Sequence, residues 1–207
     1  MKRVKTFVYG VLAGICISIG GAVFLSLENK ILGSLFFTCG LFTICTFGFN
    51  LYTGKICYVF ERDKDYAIDL PFIWLGNLAG TFLTAMLLLA TRAGGAMSEK
   101  AVGMVNTKLN DSPLSIFLLA IMCDILIFIA VDGYGKNPHE FGKYLALFFG
   151  VMIFILCGFE HCVANMFYIS IAKMWSGKAF LYVLIMTAGN SVGGVIFPLI
   201  RKWKEKA

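Results

Sequence analysis

The stretch GFEHCVANMF, residues 158–167, is flanked by LALFFGVMIFILC at 145–157 and by YI at 168–169. It sets Glu160, His161 and Asn165 in the middle of an apolar run of about thirty residues, where about 20 suffice to cross a bilayer. An ionisable side chain at that depth costs a few kcal/mol or more, so it normally faces a partner or a cavity. A polar break inside an over-long apolar segment points to a helix interrupted within the membrane.

The chain offers a second break of the same form. GFNLYTGK at 48–55 interrupts the apolar segment 31–60, and like the first it opens Gly-Phe followed by a hydrogen-bonding residue. The next apolar segment in each case carries Gly-Asn-x-x-Gly, as GNLAG at 76–80 and GNSVG at 189–193. LAGIC at 12–16 and LAIMC at 119–123 match more weakly. Apolar segments at about 7–27, 31–60, 70–91, 113–132, 144–172 and 179–200 therefore read as two copies of three spans, about 7–91 and 113–200, within one transmembrane domain covering 1–207. Three is odd, so the second copy enters the membrane from the opposite side. The expected fold class is all-α, an inverted three-plus-three repeat with broken second and fifth spans, a pattern that points to a transport path. The Gly-x-x-x-Gly spacings at 10 and 14, 76 and 80, and 189 and 193 fit close helix packing.

Composition agrees. Hydrophobic residues make up 59% of the 207 and charged residues 14%, with a mean hydropathy of +0.82, which implies an integral membrane protein. The apolar run after Lys2, Arg3 and Lys5 is long enough to span, so it is expected to be a retained helix rather than a cleaved signal, with no long gating helix ahead of it. With the N-terminus inside, twelve of the 18 Lys and Arg fall on the inner side, which places both termini in the cytoplasm. That bias accounts for the net charge of +6 and leaves no call for a nucleic-acid partner. The seven cysteines show no CxxC and read as buried thiols. Cys157, His161 and Cys162 lack a second ligand cluster, so neither a metal nor a cofactor is expected, and no GxSxG supports a hydrolase. The chain is read as a transport protein, not an enzyme.

His161 is the intramembrane group best suited to handle protons near neutral pH. Glu160 and Asn165 are read as support for the broken loop, with Glu160 pointing away from the path and holding backbone N–H groups.

GFEHCVANMF, Thr53-Gly54 in NLYTG, and GNSVGG together resemble the signatures of the formate/nitrite transporter family, and the span order is similar from about Tyr9 to Trp203. The resemblance implies an aquaporin-like protomer in a homopentamer, each subunit passing small monovalent anions of weak acids such as formate, nitrite, lactate, acetate or hydrosulfide across the inner membrane. It also implies a central site of His161 and Thr53 with Asn190, an outer constriction of Phe37, Phe154 and Ile127, and an inner constriction of Leu41, Leu51 and Tyr52. Lys108 corresponds to an outer lysine that would gather anions with the free N–H groups of the broken helices. Formate and nitrite are the leading substrates and hydrosulfide the runner-up, with a neutral-solute channel as the competing class. In the implied mechanism the anion takes a proton at the centre, from His161 or linked water, and crosses the second constriction as the neutral acid. The chain departs from the family pattern at Asn50, Lys55 and Asp124, the last placing a carboxylate near His161.

Overall fold

The computed structural model describes residues 1–206, which contain helices and no strand. In chain order these are α1 Lys2–Ser26, α2 Lys30–Phe47, α3 Tyr52–Ile56, α4 Lys64–Leu89, α5 Gly94–Leu109, α6 Pro113–Lys136, α7 Glu140–Leu156, α8 Cys162–Ile171 and α9 Gly177–Lys206. Helices α1, α2, α4, α6 and α9 are long and apolar enough to cross a membrane. The expected breaks are present: α2 stops at Phe47 and resumes as α3, and α7 stops at Leu156 and resumes as α8.

Both breaks use one backbone solution. Gly48 and Gly158 each take φ 69°, a left-handed conformation that costs an L-residue with a Cβ about 1–2 kcal/mol. The following amides then turn back onto the helix they leave, Phe49 N to Ile44 O at 3.0 Å and Phe159 N to Phe154 O at 2.9 Å. Such closures matter in hydrocarbon, where an unpaired backbone group costs several kcal/mol.

The halves pack alike. α1 lies on α2 and α4 as α6 lies on α7 and α9, and each short half-helix crosses to the other repeat, α8 against α4 and α3 against α9. Glycine permits the closest crossings: a Cβ on Gly80 would overlap Val11 O, and one on Gly193 would overlap Ile121 O. These contacts correct the register of the repeat. Val11 corresponds to Ile121, so LAIMC at 119–123 matches residues 9–13, about one helical turn from the alignment suggested by LAGIC.

The two halves run in opposite senses. Lys2 reaches Asp65 at 3.1 Å, Arg201 reaches Glu61 at 2.8 Å and Lys202 donates to Phe60 O at 2.8 Å, so both chain ends share one face, the terminal face. α1 leaves that face and ends where Glu28 pairs with Lys100, whereas α6 begins beyond Lys108 and ends on the terminal face, where Asp132 binds Lys136 and Arg201. Residues 94–109, which lie between the apolar segments 70–91 and 113–132, form helix α5, which packs on α8 and delivers Lys108 from its last turn.

Candidate functional site

Two asparagines build the site's frame. Asn77 Oδ1 accepts from Tyr52 N at 2.8 Å, the first amide of α3, and its Nδ2 donates to Gly10 O at 2.8 Å and Asn50 O at 2.9 Å. Asn190 repeats this on the other side: Oδ1 accepts from Cys162 N at 2.9 Å, and Nδ2 donates to Ala120 O and Glu160 O, both at 2.8 Å. Each amide thus caps a half-helix that would otherwise open with an unpaired N–H in an apolar interior. Asn190, expected in the central site, has its amide committed to this clamp behind the loop. Asn77, its counterpart in the first Gly-Asn-x-x-Gly, was not singled out, although the repeat marked it.

Between the two half-helix starts, His161 Nε2 and Thr53 Oγ1 stand 2.9 Å apart, and both side chains are buried. His161 is also the N-cap of α8, its Nδ1 accepting from Ala164 N at 3.1 Å. An N–H donor on Nδ1 fixes the tautomer: the ring proton sits on Nε2 and is donated to the threonine oxygen, leaving the Thr53 hydroxyl proton free for another acceptor. The amides of Tyr52, Cys162 and Ala164 are therefore not the free anion donors expected of the broken helices.

On the Lys108 side, His161 stacks on Phe154 at 5.6 Å between ring centroids, and Phe154 meets Phe37 edge-on at 6.1 Å. These three residues line a narrow cavity of about 60 Å3 with Lys108 and Asn165, and Phe24 and Met104 add to its apolar wall. Met104 lies on α5, outside every apolar segment of the sequence, so no sequence signal marks it as part of the path. Ile127 is buried on α6 and does not line this cavity. On the terminal side, Leu41 and Leu51 line a cavity of about 460 Å3. Tyr52 turns elsewhere: its hydroxyl lies 2.9 Å from Ser191 Oγ, and its ring faces a separate apolar cavity with Trp74 and Thr187.

Glu160 differs from its expected role. Its Oε2 accepts from Lys108 Nζ at 2.5 Å and from Asn165 Nδ2 at 2.8 Å, so it binds side chains rather than backbone amides and neutralises the lysine expected to gather anions. Asn165 also donates to His161 O at 2.9 Å, supporting the loop as expected, while its Oδ1 has no partner among the described residues.

Asp124 does not join His161. Both ring nitrogens are engaged elsewhere, and neither Asp124 oxygen has a hydrogen-bond partner among the described residues. Its carboxyl instead fills space over Gly194, where a Cβ would lie 2.5 Å from Oδ2. In the corrected register Asp124 matches Gly14, and a Cβ on Gly14 would meet the backbone at Asn77 and Thr81. The repeat has exchanged a small residue for a large one across the same crossing. Among the described residues no group of three or more His, Cys, Asp or Glu is placed to hold a metal.

The family model for the formate/nitrite transporter matches residues 1–204. The chain belongs to the formate/nitrite transporter family. It is 26% identical over 192 residues to the formate channel FocB of Escherichia coli (strain K12), covering 83% of this chain and 67% of that one. To the nitrite transporter NirC of the same strain it is 26% identical over 176 residues, covering 75% and 64%. Among solved structures, a pentameric formate channel with formate bound superposes with a TM-score of 0.82 at 25% identity, covering 99% of this chain and 98% of that one. The chain is accordingly a multi-pass membrane transport protein and not an enzyme.

Proposed function

We propose that this family member conducts small monovalent anions of weak acids, formate or nitrite foremost, through each subunit of a homopentamer. The observation that carries the reading is the buried, hydrogen-bonded His161–Thr53 pair, set between Phe37 and Phe154 on one side and Leu41 and Leu51 on the other. Relatives named for formate and for nitrite, and a pentameric neighbour of the same fold, support it. The apolar walls exclude hydrated ions, because a small anion stripped of water costs far more to bury than its neutral acid. At the centre the Thr53 hydroxyl, its oxygen accepting from Nε2–H of His161, offers a polarised donor to an oxyanion, which lowers the cost of its arrival. With Nδ1 capped, the proton that neutralises the anion is passed along water from the side of entry, the hydroxide equivalent returning to bulk water on that side, and the neutral acid then crosses the second wall. The protein sits in the inner membrane with the terminal face toward the cytoplasm, following the bias of Lys and Arg.

The test is flux into proteoliposomes with formate, nitrite, lactate and hydrosulfide compared side by side, with urea and glycerol as neutral controls. Formate and nitrite uptake above empty vesicles, rising as external pH falls, is expected. Passage of the neutral solutes without the acids would replace this reading with a neutral-solute channel.

A further inference from the structure

The repeat sets the two vestibules side by side for comparison. In the loop facing Lys108, the carboxylate of Glu160 takes up the lysine, and Asn165 stands one turn along. In the loop facing the chain ends, Asn50 occupies the place of Glu160 and Lys55 the place of Asn165. Asn50 spends its Nδ2 on Thr6 O at 3.2 Å, and an amide carries no charge to offset a lysine. Among the described residues no carboxylate lies within ion-pair distance of Lys55 or of Arg62.

Both of these cations line the 460 Å3 cavity that ends at Leu41 and Leu51. Glu61 and Lys136 line it too, but Glu61 is taken by Arg201 at 2.8 Å and Lys136 by Asp132 at 2.8 Å. The cavity is left with two unpaired positive side chains, one of them half-buried on the re-entrant loop itself. Cations held together without counter-charge attract an anion, and a concave low-dielectric wall focuses that field. From this asymmetry we infer that the terminal-face cavity is a binding site for the permeating oxyanion, built on Lys55 with Arg62, and that the Lys108 side has no equal to it. The site rests on the anion-transport reading and deepens it: it sets which face presents the anion to the Leu41–Leu51 wall at raised local concentration.

Two measurements test this independently. In vesicles sorted for one protein orientation, the half-saturating formate concentration is determined with formate varied on each face in turn. Lys55→Gln is expected to raise it about three- to tenfold on the terminal face and to change it less than about twofold on the other, with the effect shrinking at high ionic strength and Lys55→Arg restoring the parent value. Saturation-transfer NMR of formate with detergent-solubilised protein reads binding without transport: the signal is expected to fall in Lys55→Gln and to persist in Lys108→Gln. Unchanged half-saturation on the terminal face, or an equal rise on both faces, overturns the site, as does an NMR signal indifferent to Lys55. If the parent protein moves neither formate nor nitrite while the NMR signal still depends on Lys55, the transport reading falls and the anion site stands.

Discussion

In the loop at 48–55 the residue after the polar position is Leu51, and the next turn carries Lys55; in the loop at 158–165 the same places hold His161 and Asn165. Around them the backbone is alike to its details, with Gly48 and Gly158 at φ 69° and with Asn77 and Asn190 making matching sets of three hydrogen bonds. The comparison separates two demands on one sequence. Ending a helix inside a membrane requires a left-handed turn and an acceptor for the first amide, which both halves supply in the same way. What the resumed half-helix presents is free to differ, so one loop contributes an apolar wall and an unpaired cation, and the other an imidazole with an internally neutralised ion pair.

If the frame is shared, damage to it must be equal in the two halves. Asn77→Leu and Asn190→Leu each leave a half-helix amide unpaired and are expected to destabilise the protein by about 2–4 kcal/mol, read as matching drops in melting temperature and in the yield of assembled oligomer. A tolerated change at one asparagine beside a damaging one at the other would break the comparison. The contents must respond unequally. His161→Asn, which can still occupy an N-cap, is expected to assemble normally and to lower formate flux by at least about tenfold, the worth of one good buried donor. Leu51→Asn, at the matching place, should lower selectivity against chloride instead, and parent-like formate flux in assembled His161→Asn would remove the imidazole from the path.

Smaller effects sharpen the same contrast. Gly48→Ala and Gly158→Ala place a Cβ at positive φ where nothing crowds it, so each should cost about 1 kcal/mol of stability, alike in both halves, with flux retained. Asp124→Asn should do least. With His161 bonded to Thr53 and Ala164, and with Asp124 packed on Gly194, its pH profile of flux should superimpose on the parent's. A displaced profile would show that the carboxyl acts on the imidazole after all.

The breaks were legible because each requirement leaves a local mark: a glycine for the turn, a polar residue where water is absent, and an asparagine in the partner helix. The all-helical inverted repeat followed from those marks and from the apolar segment lengths. What stayed hidden depends on side-chain direction and on distant pairing. Asn190 is expected in the central site because the sequence does not say that its amide faces backward, and Tyr52 on the inner constriction although its ring turns toward Trp74 and Thr187. The Lys108–Glu160 pair joins residues far apart in the chain, and α5, which carries the lysine, is too polar to register as part of a membrane core. The repeat register was missed by one turn because glycine crossings constrain backbone spacing more than they constrain residue identity.

The most direct test of the central claim, that a weak-acid anion meets a proton at His161 and Thr53, is lumenal pH recorded with a trapped dye while a formate gradient is imposed on proteoliposomes. The account predicts that inward formate acidifies the lumen faster than in empty vesicles, and that assembled His161→Asn protein loses most of this increment. Formate entry that builds a negative interior potential without acidification, equally in parent and His161→Asn, would contradict it.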